Sequence, residues 1–171
     1  MALNENPRAP ESSGRRTYKL PVSVLVLVYS PDLDVLLLER ADRPGFWQSV
    51  TGSQHAGETL AQTAVRELRE ETGIDAAEYR LVDWGKHNVY EIYPHWRYRY
   101  APGITHNTEH VFALEVPRDV QVTLAPREHL RHAWLPWRQA ADKAFSWSNA
   151  EAILELPSRI QPSPDAASRG T

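Results

Sequence analysis

The chain has 171 residues, of which 42% are hydrophobic and 24% charged, and a formal net charge of -3. That is the size and composition of one ordinary globular domain, and the slight acidity excludes a general attraction for nucleic acid or an anionic membrane. With no cysteine, disulfides, thiolate metal sites and cysteine nucleophiles are excluded as well, which fits a reducing, cytoplasmic setting.

Residues 1–16 mix proline, glycine, serine and charge with almost no apolar content, as do residues 157–171. Neither stretch can bury enough surface to offset its ordering entropy, so both are expected to be disordered tails around a domain of residues 17–156. No apolar run approaches the ~20 residues that cross a bilayer, and the N-terminus lacks the charged-then-apolar layout of a signal peptide. The expectation is a cytoplasmic protein with no membrane or nucleic-acid partner, and no motif specifies an oligomeric state.

Within the domain, Pro21 to Tyr29 is a continuous β-branched and aliphatic run, predicting a strand buried on both faces. Ser30-Pro31-Asp32 marks a turn, and Val35 to Glu39 returns as a second strand that ends at Arg40. Phe46 to Val50 is a short third strand delivering Thr51 and Gly52.

From Gly52 to Ile74 the sequence reads GSQHAGETLAQTAVRELREETGI. Thr59 followed three residues later by Gln62 is a capping-box helix start, and Gly73 is a left-handed stop. Ala61, Ala64, Val65, Leu68 and Thr72 recur at helical spacing and are expected to form the buried stripe. Glu67, Glu70 and Glu71 fall at i, i+3 and i+4, within an arc of about 100°. Like charges so placed repel one another, whereas a divalent cation such as Mg²⁺ takes carboxylate oxygens and keeps positions open for water and phosphate. Gly52 lets the backbone approach a ligand closely or adopt a turn that a side chain would forbid.

Beyond this helix, Leu81 to Trp84, Val89 to Tyr93, His110 to Val116 and Leu130 to Leu135 are predicted strands. Ser148 is a predicted cap for a last helix over residues 150–156, ended by Pro157. Strands alternating with helices predict an α/β chain, a mixed sheet between helices. His95-Trp96-Arg97-Tyr98-Arg99-Tyr100 interleaves cations with aromatics. The pattern suits a phosphorylated planar ring and equally a strand with two different faces. His129 and His132 would point to opposite faces of a strand, so they do not form a zinc pair. Ser148 has no His and Asp partners in a recognisable motif, which argues against a nucleophilic triad. Trp47 and Trp147 are the tryptophans expected near a pocket.

The pattern G-x5-E-x7-R-E-U-x-E-E-x-G-U, with U aliphatic, runs unbroken from Gly52 through Glu58, Arg66 and Glu67 to Gly73 and Ile74. A chance match is on the order of 10⁻⁹ per window. The stretch resembles the box of the Nudix hydrolases. Four flanking segments, Pro21 to Tyr29, Arg43 to Ser53, His95 to His110 and Phe145 to Asn149, resemble the bacterial branch of that family that hydrolyses 7,8-dihydroneopterin 3'-triphosphate.

The resemblance implies the α/β/α Nudix fold and Mg²⁺-dependent (or Mn²⁺-dependent) cleavage of a small-molecule triphosphate, releasing pyrophosphate in folate biosynthesis. It implies Glu67, Glu70 and Glu71 as metal ligands, with Glu128 of the Glu128-His129-Leu130 segment as a further ligand or general base. Gly52, Glu58, Arg66 and Gly73 are then structural, Arg66 bracing the box by pairing with a carboxylate. Lys19, Arg40 and Thr51 become candidates for the triphosphate, Tyr90, Glu91, Ile92 and Tyr93 for the ring, and Ser146 for a polar contact. A general nucleoside triphosphate pyrophosphatase acting on dATP or an oxidised purine nucleotide, or a non-catalytic nucleotide sensor, is compatible with the same box.

Overall fold

The computed structural model describes residues 17–160; the tail expected at residues 1–16, and that expected at 157–171 from residue 161 onward, lie outside the described residues, while residues 157–160 depart from the expected tail and close the last helix. Strand β1 (Val22–Tyr29) is almost wholly buried, and its alternation feeds two cores. Val24, Val26 and Val28 pack with Ala64 and Leu68, whereas Leu25, Leu27 and Tyr29 pack with Ala140, Ala152 and Ile153. A strand sends successive side chains to opposite faces, so a sheet centred on β1 is covered on both sides.

The remaining strands are β2 (Asp34–Arg40), β3 (Trp47–Gln48), β4 (Val50–Ser53), β5 (Leu81–Glu91), β6 (His106–Glu115) and β7 (His129–Pro136). They form one mixed seven-stranded sheet along β3-β2-β1-β6-β5, with β4 also on β1 and β7 also on β2. The pairing of β1 with β6 is parallel and the other pairs are antiparallel. Helix α1 (Leu60–Thr72) covers one face, and α2 (Trp137–Lys143) with α3 (Trp147–Arg159) covers the other. This is the expected three-layer arrangement.

Helix α1 begins and ends as its sequence predicts. Thr59 and Gln62 make both bonds of a capping box, and Gly73 sits at φ 71°, a left-handed stop that favours glycine. Its buried face is different. Ala61 and Val65 are exposed, and the inward side chains are Thr63, Ala64, Glu67, Leu68, Glu71 and Thr72. The helix is rotated towards its own carboxylates, so two glutamates occupy positions that apolar patterning would reserve for aliphatics.

Other expectations are corrected in detail. The two strands expected over residues 81–93 are one strand, β5, with a register shift between Asp83 and His87. Thr51 and Gly52 belong to a separate strand, β4. Pro94 opens a 3-10 turn, Pro94–Arg99, where alternation had allowed a strand; its fixed φ suits the first helical position. Helix α3 is capped by Ser146 rather than Ser148 and continues through Pro157 to Arg159. Ile160 packs on the core and Arg159 donates to Glu155 and to the carbonyl of Trp84, which holds that final turn.

Candidate active site

The start of β1, the start of β6, the end of β5, the end of β2 and the start of β7 meet at one end of the sheet. There they line a cleft of about 870 Å³, within the range of small-molecule sites. Every residue that sequence reading assigned to metal or substrate lines this cleft, from Lys19 and Arg40 through the box glutamates to Glu128 and Ser146.

The box is braced around Glu58. Arg66 grips that carboxylate with two donors, Nε to Oε1 at 2.6 Å and Nη2 to Oε2 at 3.0 Å, while Nη2 also donates to the carbonyl of Ser53. The His55 amide and the Thr63 hydroxyl donate to the same carboxylate. The guanidinium and then the His55 amide hold the Glu58 carboxyl down at about 2. Nη1 of Arg66 donates to Glu67 at 2.7 Å and to Glu70 at 3.2 Å, so the expected brace links loop, helix and cluster.

The three helix carboxylates have different environments. Glu67 and Glu71, one turn apart, are 9% and 4% exposed, while Glu70 faces solvent beside Arg66. Burial is the main force pushing the Glu67 carboxyl up to about 7, with Arg66 opposing and Glu71 adding to it. Burial likewise raises Glu71, countered chiefly by His129. Gly52 faces this pair: a β-carbon there would overlap the Glu67 carboxylate, so the close approach is to a side chain of the box itself.

Sequence reasoning left His129 outside the site, and the structure draws it in. Its Nε2 stands 3.3 Å from Oε2 of Glu71, out of line for a hydrogen bond. That oxygen and both ring nitrogens are buried without a hydrogen-bond partner. Donor atoms of Glu71, Glu128 and His129 lie within 4.8 Å of one another. Buried polar atoms without partners are costly, and oxygen-rich ligands with an imidazole fit a divalent cation. Nudix hydrolases generally use such a cation, and these residues fit one. The signal was the single residue between exposed Glu128 and exposed Leu130, where β7 turns His129 inward.

The substrate candidates are distributed along the cleft. Arg40 binds Asp42 with Nε and Nη2 at 2.8 and 2.7 Å and lies 5.2 Å from the Trp96 ring. Lys19 bridges to Tyr100, and the Thr51 hydroxyl donates to the carbonyl of Val24. Glu91 pairs with Arg97, Ile92 is buried, and Tyr93 stacks on His95. Ser146 spends its hydroxyl on the Asn149 amide as the α3 cap. Trp147 lines the cleft as expected; Trp47 does not, being buried in the core with Leu25 and Val111.

Sequence reasoning missed Asn107 and Glu109. On β6 they precede Val111 and Ala113 at two-residue spacing, so polar side chains continue the row that enters the core. That alternation was the available signal.

The chain matches the family model for the NUDIX domain over residues 19–156. It is 48% identical over 144 residues to the dihydroneopterin triphosphate diphosphatase of Escherichia coli (strain K12), covering 82% of this chain and 95% of that protein. The protein of that name in Haemophilus influenzae is 45% identical over 139 residues, covering 80% and 87%. The solved structure of the E. coli dihydroneopterin triphosphate pyrophosphohydrolase aligns with a TM-score of 0.77 at 45% identity, over 84% of this chain and 99% of that one. With its box complete and Glu67, Glu70 and Glu71 gathered in one cleft, this chain is an enzyme and belongs to the Nudix hydrolase family.

Proposed function

We propose that the protein hydrolyses 7,8-dihydroneopterin 3'-triphosphate to dihydroneopterin monophosphate and pyrophosphate, a step of folate biosynthesis, with Mg²⁺ as cofactor and Mn²⁺ as a substitute. The observation that carries this reading is one cleft lined by the buried carboxylates of Glu67 and Glu71 and, on the other face of the sheet, by the buried polar side chains of Asn107 and Glu109. The named relatives act on that compound and cover most of the chain.

Glu67 and Glu71 would hold the cation, with Glu70, Glu128 and His129 beside them. When bound, the cation lowers the pKa of a coordinated water and offsets charge on the phosphates. Arg66 keeps Glu67 and Glu70 turned towards the cleft. Lys19, Arg40 and Arg99 line the cleft as phosphate partners. Water adds to a phosphorus at the α–β bridge, the bridging P–O bond breaks, and pyrophosphate leaves. Glu128, exposed on the cleft wall, takes the proton of the attacking water. Among the described residues no helix is long and apolar enough to cross a membrane.

The test is pyrophosphate release with Mg²⁺ from dihydroneopterin triphosphate and from dATP, compared as kcat/KM. A clear preference for the pterin is expected; equal values, or a preference for dATP, would remove the folate assignment and leave the box chemistry.

A further inference from the structure

The carboxylate cluster lies on the α1 side of the sheet. On the opposite side, the same cleft reaches a second group of polar residues. Asn88 stands directly opposite Glu109 and Tyr90 opposite Asn107 across β5 and β6, while Ser23 of β1 lies beside Glu109. Paired neighbours share a face of a sheet, so all five project towards α3.

Glu109 is 5% exposed and Asn107 3%. The Asn107 amide donates to Ser23 Oγ at 2.7 Å and to Tyr90 Oη at 3.0 Å, which leaves Oδ1 buried and unpartnered. Oε1 of Glu109 accepts from the Ser148 hydroxyl at 2.8 Å, in the first turn of α3. Among the described residues, the groups acting on this carboxylate are the Ser148 and Tyr90 hydroxyls, and no cation pairs with it. A buried carboxylate with no cationic partner among the described residues, next to an amide oxygen without a donor, makes two acceptors on the cleft lining.

We propose that Glu109 sets the heterocycle specificity of this enzyme, its carboxylate accepting the adjacent N3–H and 2-amino donors of a 2-amino-4-oxo ring, with Asn107 Oδ1 as the neighbouring acceptor. Pterins and guanine carry that paired donor edge. Adenine offers a ring nitrogen lone pair there, which a carboxylate repels. The assignment rests on the reading that a heterocyclic triphosphate occupies the cleft, phosphates towards Glu67. Burial holds the free Glu109 carboxyl above the usual carboxylate range; two N–H donors stabilise its ionised form. A site built to accept donors discriminates strongly against a ring that lacks them, because its buried acceptors are then left unpaired.

The experiment compares kcat/KM for dihydroneopterin triphosphate, GTP and dATP in the wild type and in Glu109→Gln, which replaces one acceptor oxygen by a donor of the same shape. The pterin and guanine substrates are expected to lose roughly ten- to a hundredfold, through KM with kcat held. Turnover of dATP is expected to persist, which also reports an intact fold. An unchanged ratio of pterin to dATP overturns the proposal.

A second measurement needs no variant. Pterin should bind the wild-type protein at least about tenfold more tightly than lumazine, its 2,4-dioxo counterpart, which sets an oxygen against Glu109. Equal affinities overturn the proposal. A wild type that ignores the pterin triphosphate but strongly prefers GTP to dATP sinks the substrate reading and retains this role for Glu109. A pterin preference that survives Glu109→Gln sinks the role of Glu109 alone.

Discussion

The main chain of Gly52 lies so close to the carboxylate of Glu67 that a β-carbon on the glycine would occupy the space of Cδ and both oxygens. Strand β4 thus supports the underside of one metal-ligand candidate, and only a residue without a side chain leaves room for it. Gly52→Ala should cut turnover on the order of a hundredfold by displacing that carboxylate. The thermal midpoint should move little, because the end of the Glu67 side chain can swing aside. Pyrophosphate release and thermal unfolding of the same preparation check both halves; full activity would show that the position of Glu67 is unimportant.

The buried glutamates make the metal-free protein sensitive to pH in a definite direction. The Glu67 carboxyl titrates at about 7 in the fold against 4.5 when unconstrained, and Glu71 is raised as well. A raised carboxyl contributes stability that is fully present below 4.5 and is lost as pH rises through about 7. For Glu67 the ceiling is about 3 kcal/mol, reduced by solvent screening at the cleft mouth. The Glu58 carboxyl, at about 2, acts only below this window. In chelator the unfolding midpoint should therefore fall between pH 4.5 and 7, and Mg²⁺ should flatten the slope. A midpoint that is flat or rising in chelator would contradict the assigned burial.

Arg66 uses the planar fork of its guanidinium, not charge alone. Lysine offers one ammonium and cannot hold both oxygens of Glu58 while reaching Glu67, Glu70 and the Ser53 carbonyl. Arg66→Lys should lower kcat/KM by about ten- to a hundredfold, as the loss of an orienting partner does at metal sites. Weaker Mg²⁺ activation should accompany it. Unaltered Mg²⁺ dependence would show that Arg66 serves the loop only.

Asn149 joins α3 to the segment between β3 and β4. Its Oδ1 accepts the Ser49 amide at 2.8 Å and its Nδ2 donates to the Ser49 hydroxyl at 2.9 Å, all in the interior. Asn149→Ala leaves the Ser49 N–H buried and unpaired, at a cost of about 1–3 kcal/mol. Urea unfolding should show a lower midpoint at an unchanged slope; an unaltered midpoint would mean that water or a shifted helix satisfies Ser49.

Local chemistry made α1 legible in the sequence. Thr59, Gln62 and Gly73 act on their immediate neighbours, and tertiary context left them unchanged. Strand β1 was legible because both its faces are core. The rotation of α1 was hidden, since Ala61, Val65, Ala64 and Leu68 offer competing apolar stripes and the decision lies with glutamates held inward. His129 and Glu109 were hidden for a related reason. Each is a polar side chain in a strand: alternation alone can assign its face, but its partner, Glu71 in one case and Ser148 in the other, comes from a distant element. Pro157 misled because packing by Leu156 and Ile160 outweighs one missing backbone bond.

The cleft passes around the end of the sheet, so the α1 carboxylates and the polar row around Glu109 hang on opposite faces. Substitutions at two such separated ends should combine almost additively. A gene copy can then acquire a new substrate by drift in β5, β6 and the first turn of α3, while an inherited hydrolytic apparatus stays untouched beneath α1. Divergence of diet without divergence of chemistry is built into where the sheet stops.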